Sequence, residues 1–132
     1  MFVDTVLAVL SIAFPDVCKV LVVLVPTPIP LVNIMLSSTR LPMVPNVIMG
    51  GGMALNLLGM SPISSGDEAG PLLGVVSQMV VGPGRVVLGS LKLFLGGAPA
   101  THMAGITAQN GFIPNAVGIE LTPSQPTVMV MM

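Results

Sequence analysis

Apolar residues along this chain arrive in short bursts closed off by Gly, Pro or polar residues. The runs are Lys19 to Val25, Asn46 to Met49, Gly74 to Val81, Arg85 to Leu88, Leu91 to Leu95 and Thr127 to Met131. Runs of about four to eight residues rich in Val, Ile and Leu, set between breakers, predict buried β-strands. A sustained helical period is missing except over Asp4 to Phe14, which a short helix or a strand could equally use. Pro26, Pro28 and Pro30 alternate along Pro26-Thr-Pro-Ile-Pro30, which predicts an extended edge unable to donate a full ladder rather than a polyproline ligand. The pattern as a whole predicts an all-β chain of short strands and hairpins.

An internal repeat sharpens this. Asn46-Val-Ile-Met-Gly-Gly-Gly-Met-Ala-Leu-Asn-Leu-Leu-Gly59 aligns without gaps on Lys92-Leu-Phe-Leu-Gly-Gly-Ala-Pro-Ala-Thr-His-Met-Ala-Gly105. Gly50/Gly96, Gly51/Gly97, Ala54/Ala100 and Gly59/Gly105 coincide, and a truncated third copy begins at Pro126-Thr-Val-Met-Val130, beside Pro45-Asn-Val-Ile-Met49. Each unit reads as a strand, a Gly-Gly turn and a short return strand built on small residues. Such hairpins can be arranged around a pseudo-threefold axis, where Gly and Ala let backbones approach closely.

Composition narrows the class. The 132 residues are 53% apolar and 7% charged, with 15 Gly and 13 Pro. A disordered chain needs the opposite balance. Four Lys/Arg against five Asp/Glu, net charge −1, cannot build a basic stripe for nucleic acid. Uncharged windows long enough to cross a bilayer exist at Val20 to Thr39, Leu41 to Gly66 and Leu93 to Ile119, but each is interrupted by Pro or Gly-Gly, which argues against a spanning helix. Residues 1 to 14 carry Asp4 and no Lys or Arg, unlike a secretory signal. Apolar content this high outside lipid predicts a surface covered by partner chains.

Candidate chemistry is sparse. Cys18 and His102 are the single Cys and single His, and they could form a dyad only if the fold joined them. No orienting motif accompanies either, and a packed, inert thiol is the expectation for Cys18. Gly82-Pro83-Gly84-Arg85 lacks the Gly-Lys-Ser/Thr of a phosphate loop and reads as a turn entering a strand. Gly66-Asp67-Glu68-Ala69-Gly70 reads as a solvated turn, with Asp67 bonding its own backbone, in preference to a cation loop. Arg40 and Arg85 are expected to pair with these acids, or with a partner's, at the surface. No catalytic, cofactor-binding or metal-binding residue is assigned.

The ordered set Phe14-Pro15-Asp16-Val17-Cys18, Pro26-Thr27-Pro28-Ile29-Pro30, Asn33-Ile34, Gly66-Asp67-Glu68-Ala69-Gly70, Gly74-Val75-Val76-Ser77, Gly82-Pro83-Gly84-Arg85, Gly96-Gly97-Ala98-Pro99-Ala100-Thr101, Gln109-Asn110 and Pro123-Ser124-Gln125 resembles the PAAR-like family (proline-alanine-alanine-arginine repeat-like) of bacterial contractile secretion machines. No single element is specific, but the order is, and it runs nearly end to end. The resemblance implies a small conical β domain, one domain over residues 1–132, with residues 1–18 packing on the core; related tips can carry a C-terminal toxin, and none is expected here because Met132 follows directly on the last strand-like run. It also implies a non-enzymatic tip that caps the trimeric VgrG spike of a type VI secretion system, one tip per trimer, sharpening it for membrane puncture and recruiting effector or adaptor chains. Such a protein would be cytoplasmic until fired and then delivered into target cells. The tip of a related contractile injection system or phage tail, or a small secreted toxin, is the alternative. His102 stands where the name-giving motif carries Arg, and Leu21 to Leu24 occupies ground that is usually Pro/Thr-rich. Family tips hold zinc with three His and one Cys. With one of each, this chain is expected to bind no metal and no cofactor.

Overall fold

A computed structural model describes residues 1–7 and 9–131. Ten strands follow one another: β1 Leu10–Val22, β2 Val25–Leu36, β3 Val44–Met49, β4 Gly52–Ala54, β5 Met60–Ser61, β6 Gly84–Val86, β7 Phe94–Leu95, β8 Ala98–Pro99, β9 Ile106–Gln109 and β10 Ala116–Glu120. The only helical turn among the described residues is the 3-10 turn at Ser37–Thr39. The chain is all-β, as the breaker spacing predicts.

Six strands form one antiparallel sheet in the order β2-β1-β10-β9-β6-β5. The long β1–β2 hairpin supplies one side, with a register shift between Ala13 and Asp16 where Pro15 interrupts the ladder. β2 is the edge strand. Its residues Pro26, Pro28 and Pro30 face Leu21, Lys19 and Val17. Proline has no N–H, so the ladder bonds fall to the intervening residues, and the outward edge loses a donor at every second position. At Gly118 a Cβ would lie 2.1 Å from the Ile12 carbonyl oxygen, so β10 can lie this close to β1 only with glycine there.

Two small hairpins stand apart, β3–β4 and β7–β8. Each turns through a glycine pair at positive φ, Gly50 at 57° and Gly51 at 86°, Gly96 at 60° and Gly97 at 85°. Two successive positive φ values in a two-residue loop suit the right-handed twist of a hairpin, and glycine adopts them without steric penalty. The sequence repeat is therefore a structural repeat.

Three sequence expectations require correction. Lys19 to Val25 is not one buried strand: the chain reverses at Val23 and Leu24, and these residues are exposed. Gly74 to Val81 is not a strand. Gln78 and Val81 have positive φ, and Val76, Ser77 and Val81 send their N–H groups to side chains of Asn115 and Asp67 instead of a neighbouring strand. Thr127 to Met131 is held by a single bridge, Met129 to Phe2, because the strand facing it is very short. Of the undecided Asp4 to Phe14 segment, Leu10 onward is strand, and Ala8 lies outside the described residues.

Burial runs against the usual sorting. The largest fully buried side chains include Arg40, His102, Gln109, Glu120, Asn33 and Asn110, while thirty large apolar side chains among the described residues are exposed. Among the described residues, a contiguous apolar cluster is formed by Val3, Val44, Met49, Ala54, Ala100 and Val130, with Val47, Leu93, Leu95 and Val128 against it. Apart from Val3 and Val44, those residues come from the repeats.

Candidate functional site

The third repeat copy is completed by the chain's other end. Val3 donates to the Val128 carbonyl at 3.1 Å and Val130 to the Met1 carbonyl at 2.7 Å, while Phe2 bridges Met129. Residues 2–6 thus serve the third hairpin as 53–57 and 99–103 serve the others. These three return segments close on one another. Asp4 N–H donates to Thr101 O (3.0 Å), Thr101 N–H to Leu55 O (3.3 Å), and Leu55 N–H to Asp4 O (3.1 Å). A second set keeps the threefold pattern but donates in the opposite sense: Val6 to Met53 (2.9 Å), Leu57 to Pro99 (3.0 Å) and Met103 to Phe2 (2.8 Å). The flanking bridges Thr5–Ala54, Asn56–Ala100 and His102–Val3 repeat it again. A pseudo-threefold axis passes through this ring.

The equivalent outward positions carry equivalent side chains. Alternation puts Val47, Leu93 and Val128 inward, and leaves Ile48, Phe94 and Met129 exposed at 68%, 60% and 66%. One molecule therefore shows a large apolar group three times around its axis. The repeat alignment contains all three positions, but it does not reveal their exposure.

Beside the ring lies a buried polar group. Arg40 is ion-paired with Glu120, both fully buried, and Arg40 also reaches Ser11 Oγ at 3.3 Å. This corrects the expected surface pairing. Asp4 lies against Glu120, Arg40 and Thr101, yet neither of its carboxylate oxygens has a partner, nor has Glu120 Oε2 or Thr101 Oγ1. Burial raises the Asp4 pKa well above the usual carboxylate range; Glu120 pushes the same way and Arg40 opposes.

A second buried cluster surrounds Cys18. Asp16 Oδ2 accepts from Asn33 at 2.9 Å, and Asp16 Oδ1 accepts from Asn110 at 3.3 Å, from Asn115, and from the Cys18 thiol at 3.4 Å. Asp67 accepts from Val81 N–H at 3.1 Å and lies 3.9 Å from Cys18 Sγ. Ser64 ties Asn33 to the Gly82 carbonyl. Asp67 is thus fully buried rather than solvated, while Gly66, Glu68 and Ala69 of that turn are exposed and Glu68 accepts from Gly66 N–H. Burial, then the bond from Val81 in opposition and the Asp16 charge in support, leaves the Asp67 pKa raised. Burial and the two carboxylates push the Cys18 thiol up to about 12. The thiol serves here as a hydrogen-bond donor to Asp16.

Ligand atoms of Asp16, Cys18 and Asp67 all lie within 4.8 Å of one another, which invites a metal reading. The surrounding donors do not fit one. Three side-chain amides aim N–H groups at Asp16, and two of them also reach the Cys18 sulfur, so a cation would meet amide hydrogens. A zinc set of three His and one Cys cannot be assembled either, because His102 is the only His and shares no hydrogen-bond partner with Cys18. His102 Nδ1 lies 2.9 Å from the Met103 carbonyl. The dyad considered from sequence is not brought together.

What the geometry defines is a small all-β domain closed on a pseudo-threefold axis, braced by buried polar clusters and apolar outside. The family described as the Toxin PAAR-like domain matches residues 9–117, and the chain belongs to it. Membership puts the chain among spike and effector proteins related to type VI secretion, which associate in general with VgrG-type spikes. No curated protein and no solved structure matches it. No helix among the described residues is long and apolar enough to cross a membrane.

Proposed function

We propose that this chain is a non-enzymatic spike tip that caps a trimeric VgrG-type spike. The observation that carries the reading is the closed ring of Asp4, Leu55 and Thr101, which gives one polypeptide the symmetry of a three-chain partner. Ile48, Phe94 and Met129 then offer each spike chain a comparable apolar contact, and burying them removes surface that a lone domain leaves wet. Strand edges on both partners would be covered in the same step. The protein would wait in the bacterial cytoplasm and leave with the spike, carrying effector or adaptor chains. Catalysis has no part in this reading: burial and the neighbouring carboxylates raise the Cys18 pKa, and His102 shares no hydrogen-bond partner with Cys18.

Native mass spectrometry of the chain mixed with a spike trimer tests the proposal. One copy per trimer is expected, with capture lost when Ile48→Glu, Phe94→Glu and Met129→Glu are combined. Two or three copies per trimer would refute the symmetry argument. Hydrolytic activity abolished by Cys18→Ala or His102→Ala would reverse the non-enzymatic assignment.

A further inference from the structure

The end of the β1–β2 hairpin is anomalous in two independent ways. Its loop residues, Val23 at φ 48° and Leu24 at φ 66°, adopt the backbone that Gly-Gly supplies in the other two hairpins. Bulky side chains are disfavoured there, and a β-branched one most of all. The strain is not offset by packing, since Val23 is 89% and Leu24 86% exposed, and Leu21, Val22 and Val25 around them are exposed as well. Strain without a folding return points to use elsewhere.

We propose that Leu21–Val25 is a lipid-inserting tip that enters the outer acyl region of an anionic bilayer. The choice of lipid over a protein socket rests on charge and shape. The turn stands almost wholly free of the rest of the fold, and the tip is purely aliphatic. Lys19 is the only charged residue of β1 and β2 besides Asp16, and Asp16 is fully buried. From Lys19 to the turn is four residues, roughly 13 Å of strand, so the tip enters the boundary region while the ammonium stays among headgroup phosphates. That depth is far below the ~30 Å needed to span.

The flanks are prepared for a dry medium. The three prolines remove outward N–H groups from β2. Lys19 N–H and Lys19 O on the other edge are paired with Leu73 O (3.1 Å) and Leu72 N–H (3.2 Å), and Val17 O accepts from Val75 N–H at 2.9 Å. The segment making those bonds adds exposed Leu72, Leu73, Val75 and Val76 alongside the hairpin. Desolvating this end therefore strands no N–H at Pro26, Pro28 or Pro30 and neither backbone group of Lys19.

Flotation of the full chain with phosphatidylcholine vesicles, with and without phosphatidylglycerol, tests the inference. Co-flotation is expected, stronger with phosphatidylglycerol. The double change Val23→Asn, Leu24→Gly should lower it at least tenfold, and Lys19→Gln should remove only the phosphatidylglycerol increment. The chain has no Trp, so Leu24→Trp provides a single reporter, whose emission should shift to the blue and be quenched by brominated lipid. Wild-type protein that stays with the soluble fraction, or a turn variant that floats equally well, overturns the proposal. So does capture by a spike trimer that the turn variant alone abolishes, since the tip would then fit a protein socket. Failed flotation with intact spike capture would sink this inference and leave the proposed function standing.

Discussion

Replacing Val23-Leu24 with Asn-Gly is expected to make the protein more stable. An L-residue held in the left-handed region pays roughly 1–2 kcal/mol, and two such residues occupy the loop. Asn tolerates that backbone and Gly prefers it, so about 2–3 kcal/mol of strain is relieved. Glycine's extra freedom in the unfolded chain returns about 0.5–1 kcal/mol of this. Lost side-chain burial contributes little, because both side chains are almost wholly exposed. The net gain is about 1–2 kcal/mol, which for a chain of this size raises Tm by roughly 4–8 °C. Far-UV circular dichroism during urea and thermal unfolding is the suitable assay, since the chain has neither Trp nor Tyr. An unchanged slope with a higher midpoint is expected. A variant of equal or lower stability would refute the strain argument, and with it the case that this turn is kept for something other than folding.

Two further outcomes follow from the buried clusters. With its pKa pushed up to about 12, the Cys18 thiol should resist a disulfide reagent at pH 8 in the folded protein and react stoichiometrically in urea; rapid labelling of native protein would contradict the donor role. Asp4 binds its proton more tightly folded than unfolded, so its contribution is complete below the unfolded pKa near 4 and is lost as pH rises through the raised folded value. Asp4→Asn, which cannot ionise, should gain on wild type with rising pH, by up to about 1.4 kcal/mol per pH unit within that window. Parallel stability profiles for the two proteins would show that Asp4 is not the group responsible.

The sequence made some of this legible and hid the rest for identifiable reasons. Gly50-Gly51 and Gly96-Gly97 announce their hairpins because glycine is the residue those backbone angles favour. Val23-Leu24 conceals the longest hairpin because nothing in an unbroken aliphatic run marks a reversal. The ring was visible only as a truncated third copy, since its missing strand is supplied by residues 1–3, more than a hundred positions away. Asp16, Asn33, Ser64, Asn110 and Asn115 are likewise scattered, and only the fold shows them converging. The inward direction of so many polar residues defeats hydropathy altogether: alternation along β1 puts Ser11, Ala13, Asp16 and Cys18 inside while aliphatic residues face out.

The junction between the first and last residues also dictates an order of assembly. Thr101 must find Asp4, and Met129 must find Phe2, before any of the three hairpins has its full complement of neighbours. A growing chain can make the β1–β2 hairpin early, but the small apolar core waits for Val128 and Val130. Until then the aliphatic surface has no organised interior beneath it. Contacts this distant in sequence slow folding, so the interval between synthesis and closure is when the protein is most exposed to aggregation and most in need of a chaperone or a waiting partner.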